Sequence, residues 1–329
     1  MRTIYRLILL SITIPVAAAA QSGASSLATN VEWAAYGQSQ TVDRFSPAAQ
    51  ITPQNVNSLR VAWTYRTGEI DIKTRRPAKL EATPLLVDGL LYLSTPLGKV
   101  VALDPTTGTE RWTFNAVVDG SIGWGDFANR GVSTWLDPRA ARNAHCRRII
   151  YAGTIDGRII ALDSRTGTLC TSFGQRGTVN LRQGLRNTPF ETAEYQLTSP
   201  PAVIRGMIVT GSSVADNNRT NAASGEVRAF DARTGALRWS WDPIPRDSAD
   251  PAWNSWRGTM AHTTGAANAW SVIAADSARD LVFIPTGSPS PDYFGGERAG
   301  DNHYANSVVA LRASTGKVVW HFQVVHHDL

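Results

Sequence analysis

The chain has 329 residues, of which 43% are hydrophobic and 18% are charged, so it can bury a large core and does not resemble a disordered protein. Its formal charge is +5, and its densest basic group (Lys73, Arg75, Arg76 and Lys79) has the pattern of a solvated loop, which argues against a nucleic-acid-binding function. The 27 glycines and 17 prolines favour strands and turns over helices.

The N-terminus has the pattern of a signal peptide over residues 1–20. Arg2 and Arg6 precede a mostly apolar run that ends in three alanines before Gln21. This run is shorter than the roughly 20 apolar residues of a membrane span, and an uncleaved anchor is the alternative interpretation. Residues 21–30 are rich in Ser and Ala and are predicted to be a disordered linker. We therefore expect an exported, periplasmic protein whose folded domain covers residues 31–329.

One phrase recurs along the chain: an apolar strand end, usually Asp, a Thr-Gly turn and a second strand that usually ends in Trp. Such repetition is the signature of a repeat architecture. The turn glycine supplies the positive φ of a tight turn. The four copies are residues 102–112, 161–170, 229–239 and 310–320.

Around these copies the sequence predicts sets of four short antiparallel strands, the pattern of a β-propeller blade. The first strand of the last set is expected at residues 270–275, and residues 61–68 are expected to be a strand that closes a repeat. The final Trp of each set is expected to pack between neighbouring blades. Long insertions separate the copies and are expected to carry the binding site. They are residues 115–143, 180–198, 242–268 and 289–306.

The number of copies predicts an incomplete propeller. About four to five blades fit into the chain at this spacing. An open arc leaves strand edges and blade faces uncovered. We therefore expect the chain to be the N-terminal fragment of a longer propeller; a small closed propeller is the alternative.

Two cysteines, Cys146 and Cys170, flank a hairpin predicted at residues 148–152 and 158–163. In an exported protein an even pair of cysteines predicts a disulfide. Two buried free thiols are the alternative.

Several short motifs in order along the chain resemble those of the pyrroloquinoline-quinone (PQQ) dependent dehydrogenases, of the glucose, quinate/shikimate and soluble alcohol types. The resemblance runs from about Trp33 to Leu329 and implies an eight-bladed propeller, about half of it present here, with PQQ in an axial funnel beside Ca²⁺ or Mg²⁺. The motifs are residues 80–85, 129–132, 198–201, 211–217 and 325–329, together with the blade phrase itself.

The resemblance implies five cofactor-binding residues: Glu81, Arg130, Thr154, Ser213 and Trp270. A guanidinium can grip a carboxylate or a quinone oxygen, and an indole offers a flat surface for the cofactor ring. Three of these residues also have an ordinary interpretation, which is a strand-edge charge for Glu81, a polar-loop arginine for Arg130 and a β-favouring residue before a hairpin for Thr154.

The resemblance also implies a cation site at Asp216 and Asn217, with a further contact from Ser288 or Ser290. Carboxylate and amide oxygens suit a hard divalent cation, although an Asp-Asn turn is common in loops. Relatives of the alcohol type carry Asn at the position of Ser288, and those of the glucose type carry Thr near Ser290.

Three further features bear on the chemistry. Trp124-Gly125 occupies the place of the adjacent cysteines of alcohol-type relatives, and Asp126 occupies the place of a glucose-type histidine. His326 and His327 point to opposite faces of an extended chain, which argues against a shared metal site. The family's catalytic Asp is expected just beyond Leu329, so no catalytic residue is assigned.

The resemblance implies PQQ-dependent oxidation of an alcohol, polyol or sugar, with electrons passed to a quinone or cytochrome c. We expect this chain alone to be inactive or to need the rest of the propeller. The alternative is a non-catalytic propeller scaffold of the outer-membrane assembly type, which shares the blade phrase but does not need Arg130, Asp216 and Trp270 together.

Overall fold

The computed structural model describes residues 31–69 and 72–328. The chain divides into two units, Met1–Val31 and Glu32–Leu329, and the second is compact. The predicted signal peptide and linker, residues 1–30, lie outside the described residues. None of the helices within the described ranges has the length and hydropathy needed to cross a membrane.

Strands dominate the described part of the chain, and the helical segments are three short 3₁₀ turns at Val56–Ser58, Thr192–Glu194 and Trp253–Ser255. The strands in chain order are β1 (Lys79–Leu80), β2 (Leu85–Val87), β3 (Leu90–Ser94), β4 (Lys99–Leu103), β5 (Glu110–Asn115), β6 (Ala128–Asn129), β7 (Val132–Leu136), β8 (Arg148–Gly153), β9 (Arg158–Asp163), β10 (Thr178–Asn180), β11 (Tyr195–Gln196), β12 (Ala202–Ile204), β13 (Met207–Thr210), β14 (Ser213–Val214), β15 (Val227–Asp231), β16 (Leu237–Trp241), β17 (Ala274–Asp276), β18 (Leu281–Pro285), β19 (Ser307–Arg312) and β20 (Val318–Gln323).

Sixteen of these strands form four antiparallel sheets of four, with strand orders β2-β3-β4-β5, β7-β8-β9-β10, β12-β13-β15-β16 and β17-β18-β19-β20. We call these sheets blades 1 to 4. The other four strands form two small pairs, β1 with β6 in parallel and β11 with β14 antiparallel. The predicted blades are thereby confirmed, because each is a four-stranded antiparallel sheet whose strands pair in chain order.

The first strands of successive blades lie side by side, since β12 contacts both β7 and β17. The loop before blade 1 reaches these inner strands: the side chain of Gln40 accepts a hydrogen bond from the Val203 amide (3.2 Å), and its carbonyl accepts one from the Ala275 amide (2.7 Å). The inner strands therefore mark the axis around which the blades are arranged.

The repeated Thr-Gly turn has a second role besides turning the chain. The Trp that ends one segment donates its indole N–H to a carbonyl in the next blade's turn and lies against the glycine of that turn. A Cβ on Gly167 would sit 2.5 Å from the ring of Trp112, so only glycine permits this approach. The donor–acceptor pairs are Trp63 to Pro105 (3.0 Å), Trp112 to Ser164 (2.8 Å) and Trp239 to Ala313 (2.7 Å).

This inter-blade contact confirms the predicted packing for Trp112 and Trp239, whereas Trp320, the final Trp of blade 4, is 44% exposed. Blade 2 differs because Cys170 stands where the other copies carry Trp, and the turn at Gly235 packs on Phe173 and Val179 instead. The structure joins Cys170 to Cys146 by a disulfide, S–S 2.04 Å.

Two predicted strand boundaries are wrong. β17 begins at Ala274, four residues after Trp270, because the Trp270 carbonyl accepts side-chain hydrogen bonds from Ser199 (2.7 Å) and Thr198 (3.3 Å) and makes no ladder bond. Residues 61–68 form no strand within the described part of the chain, although Trp63 docks on blade 1 as the predicted closing segment would.

Candidate functional site

The loops on one side of the blades enclose a cavity of about 710 Å³. Three of the four predicted insertions line it, and the fourth contributes its last residue, Asn268. The predicted insertions therefore supply part of the lining, whereas Arg76, residues 213–218 and Trp270 lie outside them. The lining comes from Arg76 and Asp292 and from within residues 123–130, 191–196, 213–218 and 268–270.

Arg130 forms one wall of this cavity and is held by two carboxylates. Its Nη2 lies 2.9 Å from Glu81 Oε2 and 3.3 Å from Asp126 Oδ2, and its side chain is only 12% exposed. Its Nη1 is buried and has no hydrogen-bond partner among the described residues. Since a buried guanidinium donor normally finds an acceptor, this nitrogen is suited to an anionic group of a ligand.

Trp270 lies beside Arg130, whose guanidinium carbon is 5.0 Å from the centre of the indole. The side chain is 47% exposed and lines the cavity. The hydrogen bonds that Thr198 and Ser199 donate to its carbonyl fix its backbone in place. The structure thus brings Glu81, Arg130 and Trp270 together, as the resemblance implied. The flat indole of Trp270 lies beside the positively charged guanidinium of Arg130.

Asp216 and Asn217 line the same cavity and follow β14, with Ala215 between the strand and Asp216. Burial, followed by the negative charge of Asp292, raises the pKa of Asp216 to about 6. The Asp292 amide donates to the Asp216 carbonyl (3.1 Å), so the two residues are adjacent although 76 positions separate them in sequence.

Asp292 is a lining residue that the sequence analysis did not single out. Burial, together with the charge of Asp328, raises its pKa. Its Oδ1 is buried and accepts no hydrogen bond within the described residues. Its position at the end of the Ser-Pro-Ser-Pro loop, where a second cation contact was expected, is the signal that could have identified it.

A carboxylate whose pKa is raised by a neighbouring carboxylate, as that of Asp216 is by Asp292, favours a nearby cation, because a divalent ion removes the repulsion and takes up the free oxygens. The candidate metal ligands around this pair are hard oxygens, from the carboxylates of Asp216 and Asp292 and the side-chain amides of Asn217 and Asn218. The residues present therefore fit Ca²⁺ or Mg²⁺.

Ser288 and Ser290 do not line the cavity. The Ser290 hydroxyl, fully buried, donates to the carbonyls of Asp216 (2.9 Å) and Arg219. The Ser288 hydroxyl donates to Asp328. Ser290 therefore stabilises the backbone of the loop that carries Asp216 and does not contribute to the cavity lining.

Ser213 lines the cavity from β14, where it pairs with Gln196 of β11. Thr154 does not line it. Its hydroxyl donates to Asp156 (2.5 Å) and accepts from the Arg158 amide (3.2 Å), which closes the hairpin between β8 and β9. Thr95 accepts from the Lys99 amide (3.0 Å) in the matching hairpin of blade 1, so the position of Thr154 has a structural explanation.

The disulfide between Cys146 and Cys170 lies outside the cavity lining. His145, Cys146 and Asp163 come within ligand distance of one another, and no other such group of His, Cys, Asp and Glu was found among the described residues. The Cys146 sulfur is committed to the disulfide, so this group does not make a metal site.

The cavity therefore combines two features. Arg130 and Trp270 offer a guanidinium donor without a partner among the described residues and an indole face, and Asp216 and Asp292 offer two neighbouring carboxylates. Gln196 adds a buried side-chain oxygen that also lacks a partner within the described residues. This arrangement suits a flat, polyanionic ligand bound beside a hard cation.

Comparisons with known proteins identify the family of this chain. The family described as "PQQ: Glucose/ethanol/alcohol dehydrogenase, beta-propeller domain" matches residues 33–329. Quinoprotein glucose dehydrogenase A of Acinetobacter calcoaceticus is 37% identical over 91% of this chain and 38% of its own length. The quinate/shikimate dehydrogenase (quinone) of Acinetobacter baylyi is 36% identical, again over 91% of this chain and 38% of its own length.

Among solved structures, the quinohemoprotein alcohol dehydrogenase from Comamonas testosteroni superimposes with a TM-score of 0.73 and 29% identity, over 91% of this chain and 42% of that chain. The chain thus spans about two fifths of the length of these relatives. The predicted β-propeller fold is confirmed by this superposition and by the four blades. The chain belongs to the family of PQQ-dependent glucose, ethanol and alcohol dehydrogenases, whose β-propeller domain its residues 33–329 match.

Proposed function

We propose that this chain supplies the Arg130–Trp270 wall and the Asp216–Asp292 cation site of a dehydrogenase that oxidises an alcohol, polyol or sugar with PQQ. The observation that carries the proposal is a pair of buried atoms without a partner among the described residues, Arg130 Nη1 and Asp292 Oδ1, which belong to two residues lining one cavity. The first suits a cofactor carboxylate or quinone oxygen, and the second suits a divalent cation.

The residues divide the task between them. Arg130 holds an anionic edge of the cofactor, while Glu81 and Asp126 fix its guanidinium in orientation. Trp270 offers its exposed indole face to the cofactor ring. Asp216 and Asp292, with Asn217, hold Ca²⁺ or Mg²⁺. When bound, PQQ supplies the two-electron acceptor for alcohol oxidation, and the cation polarises a quinone oxygen.

The substrate class follows from the relatives, which are dehydrogenases of glucose, glycerol, quinate/shikimate and alcohols. These substrates share a hydroxyl-bearing carbon. We propose the same class for the protein to which this chain belongs. Two relatives carry "quinone" in their names and one is a quinohemoprotein, which supports a quinone or a haem protein such as cytochrome c as electron acceptor. The N-terminal pattern of residues 1–20 supports a periplasmic location.

Uptake of PQQ tests the proposal. The full chain is mixed with PQQ and Ca²⁺, freed of unbound cofactor by gel filtration, and its retained PQQ is measured by absorbance. We expect the wild-type chain to retain PQQ and Arg130→Gln to bind it about 10- to 100-fold more weakly, the range for losing a charge-assisted hydrogen bond.

Arg148→Gln is the matched control. Arg148 is also a partly buried arginine paired to a carboxylate, Asp88, but it does not line the cavity. Arg148→Gln should retain PQQ like the wild type. Failure of the wild-type chain to retain PQQ at any Ca²⁺ concentration, when a full-length form also retains none, would contradict the proposal and favour the scaffold alternative.

A further inference from the structure

One buried residue behind the cavity, Glu194, holds the loop that carries Asp216. It ends the 3₁₀ turn Thr192–Glu194 and is only 3% exposed. Its carboxylate receives two contacts from Arg219 Nη2, at 2.5 and 2.6 Å, and amide hydrogen bonds from Ala223 (2.8 Å) and Phe190 (2.5 Å). Its backbone carbonyl accepts from the Ala215 amide (2.8 Å).

These contacts tie the loop of residues 215–223 at three places to one residue. Ala215 lies at the start of the loop, Arg219 in the middle and Ala223 at the end. Between the first two ties lie Asp216, Asn217 and Asn218, all of which line the cavity. The Arg219 guanidinium also lies 4.7 Å from the ring centre of Phe190, which fixes its orientation further.

Ser290 holds the same loop from the other side. Its hydroxyl donates to the carbonyls of Asp216 and Arg219, and Asp292 donates its amide to Asp216. The Asp216 carboxylate is thus fixed near that of Asp292, although their like charges repel. A loop free to move would swing the two carboxylates apart and lose the arrangement that a cation requires.

We infer that Glu194 and Arg219 are a positioning pair that sets the cation affinity of the Asp216–Asp292 site. This inference rests on the proposed function, because it assumes that the site takes Ca²⁺ or Mg²⁺. Neither residue lines the cavity. The pair acts only by fixing the loop between them, as buried partners behind metal ligands generally do.

The test is a calorimetric titration of Ca²⁺ into the full chain, with PQQ in excess. Glu194→Gln keeps the size of the side chain but loses its charge, and should weaken Ca²⁺ binding about 10- to 100-fold. Because both residues belong to one pair, their effects should not add. The double variant Glu194→Gln with Arg219→Gln should bind Ca²⁺ as tightly as the single variant with the lower Ca²⁺ affinity. Arg219→Lys keeps the charge but replaces the planar guanidinium, whose Nη2 contacts both Glu194 oxygens, and should retain part of the affinity.

Asp137→Asn controls for a general loss of stability. Asp137 is also buried and paired to an arginine, Arg233, but neither residue lines the cavity. The Asp137→Asn variant should have a lower midpoint of thermal unfolding and an unchanged Ca²⁺ affinity. Equal Ca²⁺ affinity in the wild type and Glu194→Gln would overturn the inference, as would an equal loss in Asp137→Asn.

Asp216→Asn separates this inference from the proposed function. If Asp216→Asn abolishes Ca²⁺ binding while Glu194→Gln does not weaken it, only the positioning role is refuted. If the wild-type chain binds no Ca²⁺, the cation site itself is refuted and the positioning role with it. Should Glu194→Gln fail to fold, Arg219→Lys decides the matter, and wild-type affinity in that variant overturns the inference.

Discussion

Asp216→Asn is expected to stabilise the cation-free chain while removing its cation site. In the folded chain, burial and the charge of Asp292 raise the pKa of Asp216 from 3.8 to about 6. Each pKa unit corresponds to about 1.4 kcal/mol, so keeping this carboxylate ionised costs up to about 3 kcal/mol at neutral pH. The amide keeps the size of the side chain without its charge. Allowing for relaxation of the loop, we expect a gain of about 1–3 kcal/mol.

The sign of the pH dependence follows from the direction of this change. A carboxyl whose folded pKa lies above its unfolded pKa favours folding most when it is protonated, below about pH 4. That contribution is lost as the pH rises from about 4 to about 6 and stays lost above that range. The advantage of Asp216→Asn should therefore be small at pH 4 and complete at pH 7 to 8.

Urea unfolding with tryptophan fluorescence, in the presence of EDTA, measures this difference at each pH. Excess Ca²⁺ should then reverse the order at pH 8, because it stabilises the wild type by mass action and has no site in the variant. A loss of more than about 1 kcal/mol for Asp216→Asn in EDTA at pH 8 would refute the reasoning, because it would mean that the carboxylate makes favourable contacts without a cation.

Two further predictions concern the scaffold. Gly167→Ala should destabilise the chain by about 1–3 kcal/mol more than Gly206→Ala in urea unfolding, because both glycines have positive φ but only the Gly167 Cβ would meet the ring of Trp112; equal losses would show that the backbone conformation alone matters. Replacing Cys146 and Cys170 together by Ser should cost about 3 kcal/mol, since the disulfide closes a loop of 24 residues; an unchanged unfolding midpoint under non-reducing conditions would show that the bond contributes no stability.

The sequence by itself determined the scaffold and one wall of the site. The blade phrase predicted the four-stranded sheets and the packing of Trp between blades, because alternation and turn chemistry are local properties of a few neighbouring residues. The Asn-Arg-Gly-Val motif identified Arg130 by resemblance, and the structure places it beside Trp270. The pairing of Cys146 with Cys170 needed only the cysteine count and a predicted hairpin.

The tertiary structure alone decided which side chains meet at the cation site and which are occupied elsewhere. Asp292 reaches Asp216 across 76 positions, and Ser290 turns its hydroxyl to the backbone behind that loop. Glu194 holds the loop through contacts with residues far along the chain. Such contacts depend on how successive blades bring their insertions together around one axis. No local pattern encodes them, because each insertion has its own length and no repeat fixes its register.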